Sequence, residues 1–162
     1  MGSFSFEQDA GLSAFIGQLI YRSVSVVQAR GALEVSDILE EARENNRRRG
    51  LTGVLTVVDG QFIQILEGPD DELDSLLAAL RDDPRHRDMV VLERRQVDGR
   101  VFEDWTMVSP RLSPTCVSAL KHLLVTAETR LDAYMPILKD ALDAQDRLAT
   151  EWHNPGRSGE QA

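Results

Sequence analysis

Cysteine is nearly absent: Cys116 is the only one among 162 residues. A lone thiol makes no internal disulfide and no multi-cysteine metal site, which fits a reducing compartment. No apolar run reaches the roughly 20 residues that a helix needs to cross a bilayer. Positive charge is in short supply, with 18 Lys and Arg against 27 Asp and Glu for a net charge of -9. That sign disfavours nucleic acid, whose binding rests on phosphate neutralisation, and equally an anionic membrane surface. The three histidines, His86, His122 and His153, have no metal-ligand spacing. There is no Gly-rich phosphate loop, since Gly50-Leu51-Thr52-Gly53 lacks the pattern. Cys116 lies at an expected helix start, where a thiolate is stabilised, but no His is placed to act as its base. The first residues, MGSFSFEQDAG, carry acids where a secretory signal needs bases, and Phe6 stands where a myristoylation signal needs Ser or Thr. The expectation is a cytoplasmic protein that is not an enzyme.

What the chain does hold is organised around Gln61-Phe62-Ile63-Gln64-Ile65-Leu66-Glu67-Gly68. Asp59-Gly60 ahead of it is a hairpin signal. Counting by twos puts Phe62, Gln64 and Leu66 on one face and Ile63 and Ile65 on the other. Both faces are apolar, which suits a central strand covered on both sides. Gln64 is the exception, because its two donors and its acceptor must be satisfied away from water. One reading is a core amide bonded to backbone; the other is an amide facing a bound polar heterocycle.

The rest of the chain supplies the partners of that strand. Residues 1–13 are polar and aperiodic, as a flexible arm would be. A first strand runs from Phe15 to about Val26, with Leu19, Tyr21 and Ser23 on one face and Ile16, Ile20 and Arg22 near the other. A helix capped by Ser36 follows, with Val35, Ile38, Leu39 and Ala42 as its stripe and Asn46 at the next stripe position. Asn46 there is either a helix end before Gly50 or a second amide facing a ligand. Leu51 to Val58 is a second strand. Pro69-Asp70-Asp71 opens a helix with Leu73, Leu76, Leu77 and Leu80, which stops near Asp83-Pro84. Met89 to Val97 is a fourth strand. A short fifth holds Phe102, Trp105 and Met107, the last two sharing a face.

The order βαββαββ predicts an α+β, ferredoxin-like sheet with two helices on one face. The second face needs a cover. A helix opened by Ser113-Pro114 and another from Pro136 to Trp152 are expected there, or at a subunit contact. The division is then an arm over 1–13, a ligand-binding domain over 14–110, a helical extension over 111–153 and a tail over 154–162. In this fold the first and third strands are adjacent, so Tyr21, Asn46 and Gln64 can converge on one space between the helices. The Arg- and Gly-rich loop of acylphosphatase-type chemistry is missing after the first strand.

These residues carry a family resemblance. Tyr21-Arg22-Ser23, Asn45-Asn46, Leu51-Thr52-Gly53, Phe62 through Gly68, Arg85-His86 and Phe102-Glu103-Asp104-Trp105-Thr106-Met107 together resemble the BLUF domains, which sense blue light using flavin. The likeness covers Leu19 to about Ser109. Asn45 stands where some relatives have His, and the connection after Ser23 diverges. The resemblance implies a bound flavin, FAD foremost, with FMN and riboflavin as the alternatives. Tyr21 would donate an electron and a proton, and Gln64 would bridge Tyr21 to the ring and rearrange. Asn46 would hold the ring's polar edge, and Trp105 or Met107 would face Gln64 and report the change. Asn45, Ser23, Ile38, Arg85 and His86 would also touch the cofactor. With about 50 residues after Ser109, below the ordinary size of a catalytic domain, the output is expected on a partner protein or on homo-oligomerisation through the C-terminal helices. The competing reading is a ferredoxin-like interaction or metabolite-binding module without photochemistry.

Overall fold

The computed structural model describes residues 15–26 and 32–153. The arm over 1–13, the tail over 154–162 and the stripe position Val35 lie outside the residues whose side chains are described. Four strands, β1 (Ile16–Ser25), β2 (Thr52–Val58), β3 (Gln61–Gly68) and β4 (His86–Val97), form one antiparallel sheet in the order β2-β3-β1-β4. Helices α1 (Ala32–Arg49) and α2 (Asp70–Arg81) lie within the βαββαβ order, and α3 (Pro114–Val125) and α4 (Leu131–His153) follow it. This is the expected α+β, ferredoxin-like arrangement.

The period-two pattern of β1 and β3 assigns each face its own core. Leu19, Tyr21, Phe62 and Leu66 pack with Leu73 and Leu77 of α2 and with Ile38, Leu39 and Ala42 of α1. Ile20, Ile63 and Ile65, pointing the other way, pack with Leu120 and Leu124 of α3 and with Leu131, Tyr134, Leu138 and Leu142 of α4. The C-terminal helices therefore cover the second face. Asp59 and Gly60 turn β2 into β3 with φ of 50° and 71°, the pair of left-handed residues that a tight hairpin turn demands.

Four local expectations change. Ser36 is not the cap of α1, because the helix already runs from Ala32. α4 begins at Leu131, five residues before Pro136, which lies inside it. β4 starts at His86, three residues ahead of the expected Met89. The fifth strand is reduced to one parallel bridge, Val54 to Val108. Trp105 O and Val108 O accept from the Gly53 and Leu55 amides of β2, but the two carbonyls between them are diverted: Arg43 Nε donates to Met107 O at 2.9 Å and Asn46 Nδ2 to Thr106 O at 2.7 Å. Without a regular pleat, residues two apart need not share a face. Met107 enters the core beneath α1 and α2, whereas Trp105 packs against the core beneath α3 and α4.

Removing the chain beyond Pro110 should be costly. Ile20, Val54, Val58, Ile63 and Ile65, each at most 3% exposed, would lose their cover. At about 1.5–3 kcal/mol per such side chain the loss is roughly 8–15 kcal/mol, as large as the whole stability of an ordinary domain. The truncated chain is expected to aggregate or to lose its cooperative thermal transition by circular dichroism.

Candidate functional site

The face of the sheet beneath α1 and α2 carries a cleft of about 200 Å³. β1 supplies Tyr21 and β3 supplies Phe62 and Gln64. α1 lines one side with Ile38, Ala42, Asn45 and Asn46, and α2 the other with Leu76 and Leu80. Apolar side chains on both walls, amides on the α1 side and a phenol and an amide on the floor suit a flat heterocycle with a polar edge.

At the floor, Tyr21 and Gln64 are directly opposed in the β1–β3 register, so their side chains are cross-strand neighbours. Tyr21 Oη donates a short hydrogen bond to Gln64 Oε1. Both are buried, Tyr21 completely. Burial pushes the phenol pKa well above its ordinary value, and the Asp83 charge adds to the effect. Tyr21 therefore keeps its proton throughout the physiological range. With Oε1 fixed on the phenol, Gln64 Nε2 points at Met107 Sδ, 3.5 Å away. A thioether is a weak acceptor, so an amide only 5% exposed has a donor poorly served by protein. A ligand acceptor would satisfy it. Asn46, 1% exposed, uses one amide hydrogen on Thr106 O and so bonds the segment leading to Met107 to the wall of the cleft. Its second hydrogen and its oxygen suit a ring's paired acceptor and donor.

The rim is charged. Arg85 donates to Asp83 Oδ2 at 2.7 Å and to Glu41 Oε2 of α1 at 2.8 Å. The Arg85 guanidinium holds the Asp83 carboxyl below its usual range. Behind the rim, His86 Nδ1 is 2.9 Å from Ser23 Oγ, and its ring lies 4.9 Å from that of Phe62. Burial pushes the imidazole pKa down; Asp83 opposes this and the Arg85 charge reinforces it. A neutral imidazole is thus preferred in the fold. Its contribution to stability is complete above the unfolded value of 6.5 and is lost as pH falls through the lower folded value. Proton titration of the His86 ring by NMR should give a midpoint below 6.5, and a midpoint above it would contradict this geometry.

The family model for sensors of blue light using FAD (BLUF) matches residues 16–108, more than half of the chain. The chain belongs to the BLUF family. It is 37% identical over 110 residues to the photoactivated adenylate cyclase subunit beta of Euglena longa, a match covering 64% of this chain and 13% of that protein. The chain thus spans a small part of the curated relatives it matches. Among solved structures it is similar to BlsA in its photo-activated state, with a TM-score of 0.65 and 25% identity over 78% of this chain and 94% of that one. It is likewise similar to the dark-state structure of BlrB, a BLUF protein, with a TM-score of 0.58 and 27% identity over 81% and 97% of the two chains. The family is one of blue-light sensors that use a flavin. No helix among the described residues is long and apolar enough to cross a membrane.

Of the BLUF residues expected from sequence, the cleft gathers Tyr21, Ile38, Asn45, Asn46, Gln64, Arg85 and His86 along its lining, with Met107 behind Gln64. Ser23 stands one contact away, against His86. Trp105 is not among the lining residues. Glu41 and Asp83 line the rim and were not expected from sequence. Asp83 reads as a helix stop, and its place two residues before Arg85 is the signal that pairs them.

Proposed function

We propose that this chain is a blue-light photoreceptor in which the Gln64 amide is the switch. What supports the reading is the continuous contact from Tyr21 through Gln64 to Met107 along the floor of the cleft. Asn45 and Asn46 would hold the polar edge of the flavin ring, Ile38 its flat face, and Arg85 and His86 its outer side, with Ser23 fixing His86. FAD is the first choice of flavin, with FMN and riboflavin next. A domain over 14–110 would carry the flavin and the helical extension over 111–153 the output.

A bound flavin supplies a strongly oxidising state on absorbing blue light and a ring carbonyl that accepts a hydrogen bond. Tyr21 is the one phenol or indole among the lining residues. Because it is held protonated, it loses an electron together with a proton, and the proton's path is its bond to Gln64 Oε1. When both return, Gln64 re-forms its bonds with donor and acceptor exchanged, by rotation or by tautomerisation of the amide. Rotation would put Oε1 where Nε2 now meets Met107 Sδ, turning an attraction into a repulsion of lone pairs. Met107 then withdraws and the 102–108 segment follows. One hydrogen bond is worth about 0.5–1.5 kcal/mol net, enough to move a two-state equilibrium by up to roughly tenfold. The output falls on a partner protein or on the chain's own assembly.

The test is an absorption spectrum. Chain purified with flavin, or incubated with FAD, should be yellow, shift red under blue light and recover in darkness. A chain that takes up no flavin, or whose band does not move, contradicts the reading.

A further inference from the structure

On the sheet face away from the cleft, a row of polar side chains crosses all four strands. Thr52 of β2, Glu67 of β3, Gln18 of β1 and Arg95 of β4 stand opposite one another in register. Gln18 and Glu67 are completely buried, which is costly unless every polar atom finds a partner. Glu67 accepts from Gln18 Nε2 at 2.6 Å, from the Val101 amide at 2.9 and 3.0 Å and from the Phe102 amide at 2.8 Å. All of these partners are donors, as an ionised carboxylate requires. Gln18 Oε1 in turn accepts from Arg95 Nε at 2.7 Å, and Arg95 Nη1 donates to Asp132 Oδ1 at 2.7 Å.

The row has one orientation. Flipping the Gln18 amide would set its oxygen against a carboxylate and its nitrogen against a guanidinium, both repulsive. Its two ends are also informative. One is the backbone of residues 101–102, just ahead of Trp105 and Met107. The other is the first turn of α4, where Glu93 also accepts from the Leu131 amide. The mechanism above uses neither Glu67 nor Gln18.

We propose that Glu67, Gln18 and Arg95 are positioning residues for the light response, coupling displacement of the 101–108 segment to the first turn of α4. The proposal rests on the reading that this segment answers to Gln64. The carboxylate ties residues 101–102 to the sheet, so movement of Met107 pulls on Glu67. The singly oriented amide then carries the shift under α4 to the Arg95–Asp132 pair. Arg95 is part-exposed and Asp132 largely so, which makes this end of the row the place where the coupling can be cut at least cost, the buried Gln18 oxygen being the one atom left unpaired.

The experiment is hydrogen exchange on the full flavin-loaded chain, in darkness and under continuous blue light. In the parent, the exchange rates of the Val101 and Phe102 amides and of the α4 first-turn amides should each differ severalfold between light and dark. Arg95→Met should keep the flavin red shift and the difference at Val101 and Phe102, and lose the difference in α4. Glu67→Gln should keep the red shift and lose the α4 difference as well. A row that merely braces the fold would speed α4 exchange equally in light and dark and leave the difference intact. That result in Arg95→Met, or a parent that shifts red with no α4 difference, overturns the proposal. A parent without a red shift overturns the photoreceptor reading beneath it.

Discussion

Replacing Gln64 with Leu should leave a yellow, flavin-bound protein whose absorption no longer moves under blue light. Leu has nearly the volume of Gln and lies between Phe62 and Leu66 on a strand already packed with apolar residues. The fold should therefore survive; removing the poorly served donor that meets Met107 Sδ offsets part of the lost bond to Tyr21. What Leu cannot supply is one rotatable group with both a donor and an acceptor. Tyr21→Phe should fail in the same way for a different reason. It removes the phenol and its proton path while keeping the ring that fills the space between α1 and the sheet. Each variant is expected to reduce the light-minus-dark amplitude to the noise level at unchanged flavin occupancy. If Gln64→Leu still gave the parent's red shift, Gln64 would not be the switch, whatever the flavin does.

Gly53→Ala should be the most damaging small substitution in the domain. Gly53 pairs with Leu66 across β2 and β3, and a Cβ there would stand 2.2 Å from the Ile65 carbonyl oxygen, 3.2 Å from its carbon and 3.3 Å from Leu66 Cα. All three are backbone atoms of β3, so no side chain can swing away. Strands pair at about 4.8 Å, and the pair must open to admit the methyl group. Gly53 also anchors the Met107 segment: its amide donates to Trp105 O at 3.0 Å and its carbonyl accepts from the Val108 amide at 3.2 Å. Overpacking of this kind costs about 1–3 kcal/mol, more when backbone must shift. For a chain of this length that predicts a thermal midpoint lower by roughly 5–10 °C. Because the opening lies beside Gln64 and Met107, the red shift should shrink too. An unchanged midpoint in a thermal scan would contradict the close approach.

Much of this site was legible from side-chain alternation. The odd and even positions of β1 and β3 assign Tyr21 and Gln64 to one face, and the strand order makes them neighbours, so the central contact follows from sequence. Asn46 was legible as an amide where the α1 stripe asks for an apolar residue. The segment from Phe102 to Met107 was not. Its composition reads as a strand, but Asn46 and Arg43, some 60 residues earlier, take the carbonyls of Thr106 and Met107. No local pattern reports such a long-range diversion. The same cause separates Trp105 from Met107, which the alternation rule had put on one face. The half-burial of His86 leaves no local signal, because its cover, Ser23 and Phe62, comes from two other strands. Glu67 escaped notice as a buried carboxylate because its partners are the amides of residues 101 and 102, and backbone donors leave no trace in a sequence.

The central claim is that the Gln64 amide exchanges its donor and acceptor when the flavin absorbs light. The most direct measurement is a light-minus-dark infrared difference spectrum of flavin-loaded chain, taken with unlabelled and with isotope-labelled glutamine. The account predicts a label-sensitive shift of a side-chain amide carbonyl band that appears with the red-shifted flavin and decays with it, and that is lost in Gln64→Leu. A flavin band that shifts and recovers while no glutamine carbonyl band moves would contradict it.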